Sequence, residues 1–100
     1  METAIANPLD EVQKMLTQHY GPLMRHDQVA EVLDVSPESL GNTMRRSHEP
    51  NVVYLKRNKL RFGRRVRYSA IAVAEALVLD HAELARRLEG FAEGGTANVG

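Results

Sequence analysis

The sequence predicts a mainly α-helical domain with one small β-hairpin and an additional helix at each end. Apolar residues recur three or four positions apart in the first 46 residues and again over residues 70–91, which is helical spacing. Between them, residues 60–68 alternate apolar and basic side chains around a glycine, a pattern typical of a hairpin. A chain of 100 residues has the size of one small domain, which we expect to span residues 1–92.

The first two helices are predicted at residues 8–20 and 26–33. Asn7 can cap the first helix, Pro8 suits its first position, and a Gly-Pro pair at residues 21–22 ends it. The second helix has apolar residues on one face but only a weak start signal, because arginine and histidine are poor capping residues.

A third helix is predicted at residues 37–46, after the tight connection Asp34-Val35. Ser36 followed by Pro37 is a strong helix start. Leu40 and Met44 are expected to face inward.

The segment after the third helix is predicted to be irregular and then extended. We expect a loop at residues 47–51, a short β-prone run at residues 52–55 and a turn at residues 57–59.

The hairpin is expected to turn near Gly63. Leu60 and Phe62 share one face before the glycine, and Val66 and Tyr68 share one face after it. Most of the arginines then fall on the other face or at the tip, which predicts a basic outer side. These arginines are Arg61, Arg64, Arg65 and Arg67.

The last helix is predicted at residues 70–91 with Ser69 as its cap, followed by a flexible tail at residues 93–100. Its apolar seam alternates steps of four and three residues, as in packing between two helices. One interpretation is a homodimer and the other is docking onto the first helix of the same chain. His81 is either an exposed edge of the seam or a polar residue that sets the register of a dimer. The candidate dimer residues are Leu77, His81, Leu84, Leu88 and Phe91.

Basic and acidic residues are strongly segregated along the chain, although the formal net charge is zero. Residues 1–42 contain two basic and seven acidic side chains. Residues 43–68 contain nine basic side chains and one acidic one, and residues 69–100 contain two basic and five acidic ones. A basic middle segment of this kind is the electrostatic pattern of a protein that binds a polyanion.

Two short helices joined by a tight connection and followed by a basic hairpin predict a winged helix-turn-helix, with the first and last helices as additions. A helix fits the major groove of B-DNA, and arginines on a hairpin reach phosphates or the minor groove.

The stretches HDQVAEVLDVSPESLGNTMRR and LRFGRRVRYSAIAVAEAL resemble the MerR-like winged helix-turn-helix of phage and plasmid excisionases and AlpA-type regulators. The resemblance covers residues 24–79. It implies a bacterial, nucleoid-associated DNA-binding protein of a mobile genetic element.

The candidate DNA contacts lie in the third helix and the hairpin. Asparagine can pair bidentately with adenine and arginine with guanine, while serines near a helix start can bind phosphate. The hairpin arginines are expected to contact phosphates or the minor groove. The candidates are Ser36, Ser39, Asn42, Arg45, Arg46, Arg61, Arg64, Arg65 and Arg67.

The expected function is a small transcriptional regulator that binds double-stranded DNA as a homodimer. An excisionase-like factor that bends DNA is the main alternative, with a recombinase or RNA polymerase as further candidate partners. A further alternative function is a protein-interaction adaptor on a winged-helix scaffold. We expect no enzyme, because glycine-rich phosphate loops, HExxH and cysteine nucleophiles are absent from the sequence.

No cofactor and no metal are expected, since the four histidines are dispersed and the chain has no cysteine. No apolar run approaches the roughly 18 residues that indicate a membrane span, and residues 1–11 lack the features of a signal peptide. We therefore expect a cytoplasmic protein with no membrane partner.

Overall fold

The structure, a computed structural model, describes residues 7–90 and gives only the helical backbone of residues 91–99. Residues 93–99 of the predicted flexible tail have helical backbone as the end of the last helix, and Gly100 lies outside the described residues. The chain forms six helices and three strands over the described part. In chain order they are α1 (Pro8–Tyr20), β1 (Leu23–Met24), α2 (His26–Leu33), α3 (Pro37–Arg46), α4 (Pro50–Arg57), β2 (Lys59–Phe62), β3 (Arg65–Ser69), α5 (Ala70–Val78) and α6 (His81–Val99).

The first three helices begin and end where the sequence predicts. The Asn7 side chain accepts a hydrogen bond from the Leu9 amide at 2.9 Å, and Ser36 Oγ accepts one from the Ser39 amide at 3.0 Å. The start of α2 is stabilised by a hydrogen bond that the sequence analysis did not predict. The Gln28 side chain accepts it from the Arg25 amide at 2.9 Å.

The predicted β-prone run at residues 52–55 is wrong, and the predicted loop at residues 47–51 and turn at residues 57–59 are wrong in part, since Pro50–Arg57 form helix α4 and β2 begins at Lys59. Proline occupies the first helical position, where its missing N–H costs nothing. The helix buries Tyr54 and Leu55, which lie on adjacent positions and face the core. Burial against α5 and α6 therefore overrides the local β propensity of the run.

The predicted single helix at residues 70–91 is also wrong, because the chain breaks at residues 79–80 into α5 and α6. Leu79 has extended backbone angles (φ −72°, ψ 145°). Asp80 then caps α6, its carboxylate accepting from the Glu83 amide at 2.8 Å. The predicted seam is thus divided between two helices.

The three strands form an antiparallel sheet in the order β1-β3-β2. The hairpin pairs Lys59 with Tyr68 and Phe62 with Arg65. The sequence did not reveal β1, which pairs Met24 with Tyr68 on the other side of β3. A strand of two residues carries too little pattern to be recognised without its partner.

The core lies between the helices and the inner face of the sheet. Leu16 of α1 packs into it, and α1 lies along α5. Met24, Val29, Val73 and Leu84 are its largest fully buried side chains. Helix α6 thus belongs to the same core as the sheet and α2.

A polar cluster fixes α6 to α4 and α5. Tyr54 donates to the Glu75 carboxylate at 2.7 Å, and the Arg87 guanidinium donates to Glu75 at 3.1 Å and to Glu83 at 2.8 Å. Hydrogen bonds from Arg86 and Arg87 lower the pKa of Glu83, and those that Arg87 makes raise its own pKa. Burial raises the pKa of Tyr54. Among the described residues, no helix is long and apolar enough to cross a membrane.

Candidate nucleic-acid interface

Helices α2 and α3 are held in one arrangement by their connection. Asp34 adopts the left-handed conformation (φ 60°), which aspartate tolerates better than most residues. The Val35 amide donates to the Ala30 carbonyl at 3.0 Å and closes the end of α2. Across the connection, His26 Nε2 lies 2.8 Å from the Pro37 carbonyl oxygen. The start of α2 is therefore tied to the start of α3.

The predicted contact residues of α3 all lie on its exposed side, while Leu40 and Met44 are buried. The Arg45 guanidinium donates to the side-chain oxygen of Asn42, one turn earlier. This contact orders both side chains before any ligand arrives and leaves further guanidinium N–H groups to donate. The exposed residues are Ser36, Ser39, Asn42, Arg45 and Arg46.

The hairpin turns in two residues, with Gly63 in the left-handed conformation (φ 61°) that glycine adopts without strain. Arg61, Arg64 and Arg65 are exposed. Arg67 is half-buried, and its guanidinium donates to the Val66 carbonyl at 2.9 Å.

The hairpin register corrects the predicted distribution of its side chains. Residues directly opposite each other share a face of the sheet. Phe62 lies opposite Arg65 and Leu60 opposite Arg67, whereas Arg61 lies opposite Val66 on the inner side. The outer face is consequently a mixture of apolar and basic side chains, and the predicted basic outer side is wrong in that respect.

The hairpin and α3 are joined through Tyr68, which is buried. Its hydroxyl lies 3.5 Å from Met44 Sδ of α3, and its ring lies 6.4 Å from the His26 ring of α2. Burial raises the pKa of the Tyr68 phenol. Because one side chain contacts both helices, we expect α2, α3 and the hairpin to move as a unit.

The positive charge of the middle segment is left without carboxylate partners. Arg25, Arg86 and Arg87 form salt bridges with neighbouring carboxylates. Within residues 7–90, none of the nine basic residues between positions 45 and 67 forms one. They are Arg45, Arg46, Lys56, Arg57, Lys59, Arg61, Arg64, Arg65 and Arg67.

The candidate site therefore has three parts, not two. Lys56 and Arg57 end α4, and Lys59 begins β2, so these exposed cations lie between α3 and the hairpin in the chain. The sequence interpretation missed them as site residues, because it placed Arg57 and Lys59 in a turn and assigned Lys56 to no element. Their charge was the signal that could have identified them.

The candidate dimer residues do not form one exposed seam. Leu84 is fully buried within the single chain, and Leu88 packs partly buried against the core. Leu77 and His81 are exposed. The Phe91 side chain lies outside the described residues.

An open depression of about 490 Å³ lies beside α1 and is lined by residues that include Leu16, Tyr20 and Val32. One apolar cavity of about 80 Å³ lies between α2, α3, α4 and α5, with Leu40 and Leu55 among its lining residues. A cavity that binds benzene has a volume of about 150 Å³, so this one is too small for an aromatic cofactor. Nowhere in residues 7–90 do three metal-ligating side chains of His, Cys, Asp or Glu lie together.

The fold and the site define the chain coarsely, as a mainly helical protein with a small antiparallel sheet and a concentration of unpaired cations. No family model, curated protein or solved structure matches it.

Proposed function

We propose that the protein is a sequence-specific DNA-binding regulator of the winged helix-turn-helix class. The observation that carries the proposal is a set of cations on α3, α4 and the hairpin that form no salt bridge within residues 7–90, where Arg25, Arg86 and Arg87 all do. Unpaired surface cations on adjoining elements attract a polyanion, and duplex DNA carries one negative charge per about 1.7 Å of helix axis.

Helix α3 is the element that enters the major groove. It is ten residues long and has an exposed polar side, which suits a groove about 12 Å wide. Asn42 and Arg45 lie one turn apart and are already hydrogen-bonded. They contact base edges as a pair, and each good bidentate contact is worth about 1–3 kcal/mol of discrimination.

The hairpin binds the neighbouring backbone and minor groove. Arg64 lies in the two-residue turn and Arg65 begins β3, so both guanidiniums project at the tip. Tyr68 fixes the angle between the hairpin and α3 through Met44. The two elements thus bind one stretch of DNA without rearranging, and little ordering entropy is lost.

The experiment distinguishes the role of α3 from that of the hairpin. Fluorescence anisotropy measures the affinity of each variant for a duplex selected for tight binding and for a random duplex. Arg64→Ala and Arg65→Ala should weaken binding to both duplexes equally. Asn42→Ala or Arg45→Ala should cost about 1–3 kcal/mol, mainly on the selected duplex. Because these two side chains act as a pair, the double variant should cost little more than either single one.

Lys14→Ala is the matched control, since Lys14 is an exposed cation on α1 outside the site and forms no salt bridge among residues 7–90. Its affinity for both duplexes should equal that of the wild type. The proposal fails if the α3 variants discriminate between the duplexes as the wild type does. It also fails if Lys14→Ala weakens binding as much as Arg64→Ala.

A homodimer on a pseudo-palindromic site is a further part of the proposal. Of the candidate residues on its interface, Leu77 is 44% exposed and available for pairing. Leu84 is not, because the chain's own core covers it. The interface would therefore centre on Leu77 and His81 at the junction of α5 and α6.

A further inference from the structure

Phe62 is the most exposed large apolar side chain among the described residues, with 85% of its surface accessible. Full burial of a phenylalanine side chain stabilises a fold about as much as full burial of leucine or isoleucine. The fold of this chain does not obtain that stabilisation from Phe62. The other exposed large apolar residues of the sheet, Leu23 and Leu60, are about half covered, at 50% and 46% exposure.

Phe62 also contributes nothing to the core that could explain its presence. It is the last residue of β2, lies opposite the exposed Arg65, and is absent from the buried cluster and from the half-buried residues around it. The two-residue turn through Gly63 holds it at the hairpin tip. An aromatic ring is thus held at the end of a short, ordered projection.

Three exposed arginines adjoin Phe62 along the hairpin. Arg61 precedes it on β2, Arg64 lies in the turn and Arg65 is its cross-strand partner. None of the three has a carboxylate partner within residues 7–90. An apolar group surrounded by unpaired cations is complementary to the minor groove, where phosphate walls line the edges of stacked bases.

We propose that Phe62 is a wedge that inserts between adjacent base pairs from the minor groove and kinks the DNA. The inference rests on the proposed DNA binding and assigns a role to a residue that this binding alone does not require. Apolar side chains inserted in this way unstack a base step and bend the duplex by about 20–90° toward the major groove. The flanking arginines hold the phosphates on either side, and flexible pyrimidine–purine steps accept the kink most easily.

The test uses the full chain and a duplex that it binds, labelled for energy transfer between its ends. A second duplex carries 2-aminopurine beside a pyrimidine–purine step. Wild-type protein should bring the ends together and raise the 2-aminopurine fluorescence, because unstacking relieves its quenching. Phe62→Ala should abolish both signals while lowering the affinity about tenfold or less, since phosphate contacts supply much of the binding.

Leu60→Ala is the matched control, because Leu60 lies on the same strand and face, two residues from the tip, and is also exposed. It should leave both signals unchanged. Phe62→Leu should retain part of the bend, since leucine also serves as a wedge. Circular dichroism confirms that the variants stay folded, as the exposure of both residues leads us to expect.

The possible results separate the two claims. A wild type that binds DNA but leaves it straight, or a Phe62→Ala variant that bends it fully, overturns the wedge and leaves the DNA-binding proposal standing. Equal loss of bending in Leu60→Ala and Phe62→Ala also overturns it, because the whole apolar face would then be a protein-docking surface. A wild type that binds no DNA overturns both.

Discussion

Replacing Leu84 with alanine should destabilise the folded chain, and the effect should not depend on protein concentration. Leu84 is 0% exposed and packs in the core that also contains Val73. A buried leucine replaced by alanine typically costs about 2–5 kcal/mol, because the removed methyl groups leave a cavity. For a domain of this size each kcal/mol lowers the midpoint of thermal unfolding by about 4–8 °C. The expected decrease is therefore about 8–40 °C, read from helical circular dichroism.

The same experiment distinguishes an intramolecular core from a dimer seam. If Leu84 served a dimer interface, dilution would shrink the difference in midpoint between wild type and variant, whereas a core role for Leu84 keeps that difference constant. Met15→Ala is the control, because Met15 is 64% exposed, lies outside the proposed dimer interface and should change the midpoint by a few degrees at most. A Leu84→Ala variant with the wild-type midpoint would refute the assignment of α6 to the core of the single chain.

Four further perturbations test local features of the fold. Asp80→Ala removes the side-chain cap of α6 and should cost about 1 kcal/mol in chemical denaturation. Gly63→Ala forces a side chain into the left-handed region and should cost about 1–2 kcal/mol. Gly41→Ala in α3 should instead stabilise by up to about 1 kcal/mol, since its new Cβ would lie 3.6 Å from the nearest side-chain atom. The pKa of Glu83 is lowered in the fold, so its ionised form stabilises the native state above its unfolded pKa of about 4.3. That stabilisation should disappear as the pH falls through the folded pKa, and Glu83→Gln should show a shallower loss of thermal stability with acid.

The sequence was informative for the starts of α1 and α3, which nearby residues determine. Asn7 and Ser36 cap α1 and α3 through hydrogen bonds to amides two or three residues away. Such contacts need no tertiary structure, so the sequence predicts them directly. The compact hairpin turn at Gly63 is equally local.

The elements that the sequence missed depend on distant partners. Helix α4 is stabilised by burying Tyr54 against a cluster that includes Glu75 and Arg87, far away in the chain. The break before α6 likewise reflects the packing of α6 on α4, and the evenly spaced seam concealed it. Aspartate is a favourable capping residue, so Asp80 could have indicated a helix start. The apolar spacing continues across it, however, and predicted one continuous helix.

The candidate site was predictable in its charge and less so in its geometry. Segregation of basic residues is visible in the sequence, yet the pairing of Phe62 with Arg65 depends on the register of the hairpin. The register mixes apolar and basic side chains on one face and leaves Phe62 exposed. The contact between Tyr68 and Met44 could not be anticipated either, because it joins residues from different elements.

A salt titration of DNA binding tests the central claim most directly. If the cations of α3, α4 and the hairpin neutralise about six phosphates, the logarithm of the affinity should fall against the logarithm of the salt concentration with a slope near −5. Replacing Arg64 and Arg65 together with alanine should make that slope shallower by about two. A flat titration, or a double variant with the wild-type slope, would contradict the account.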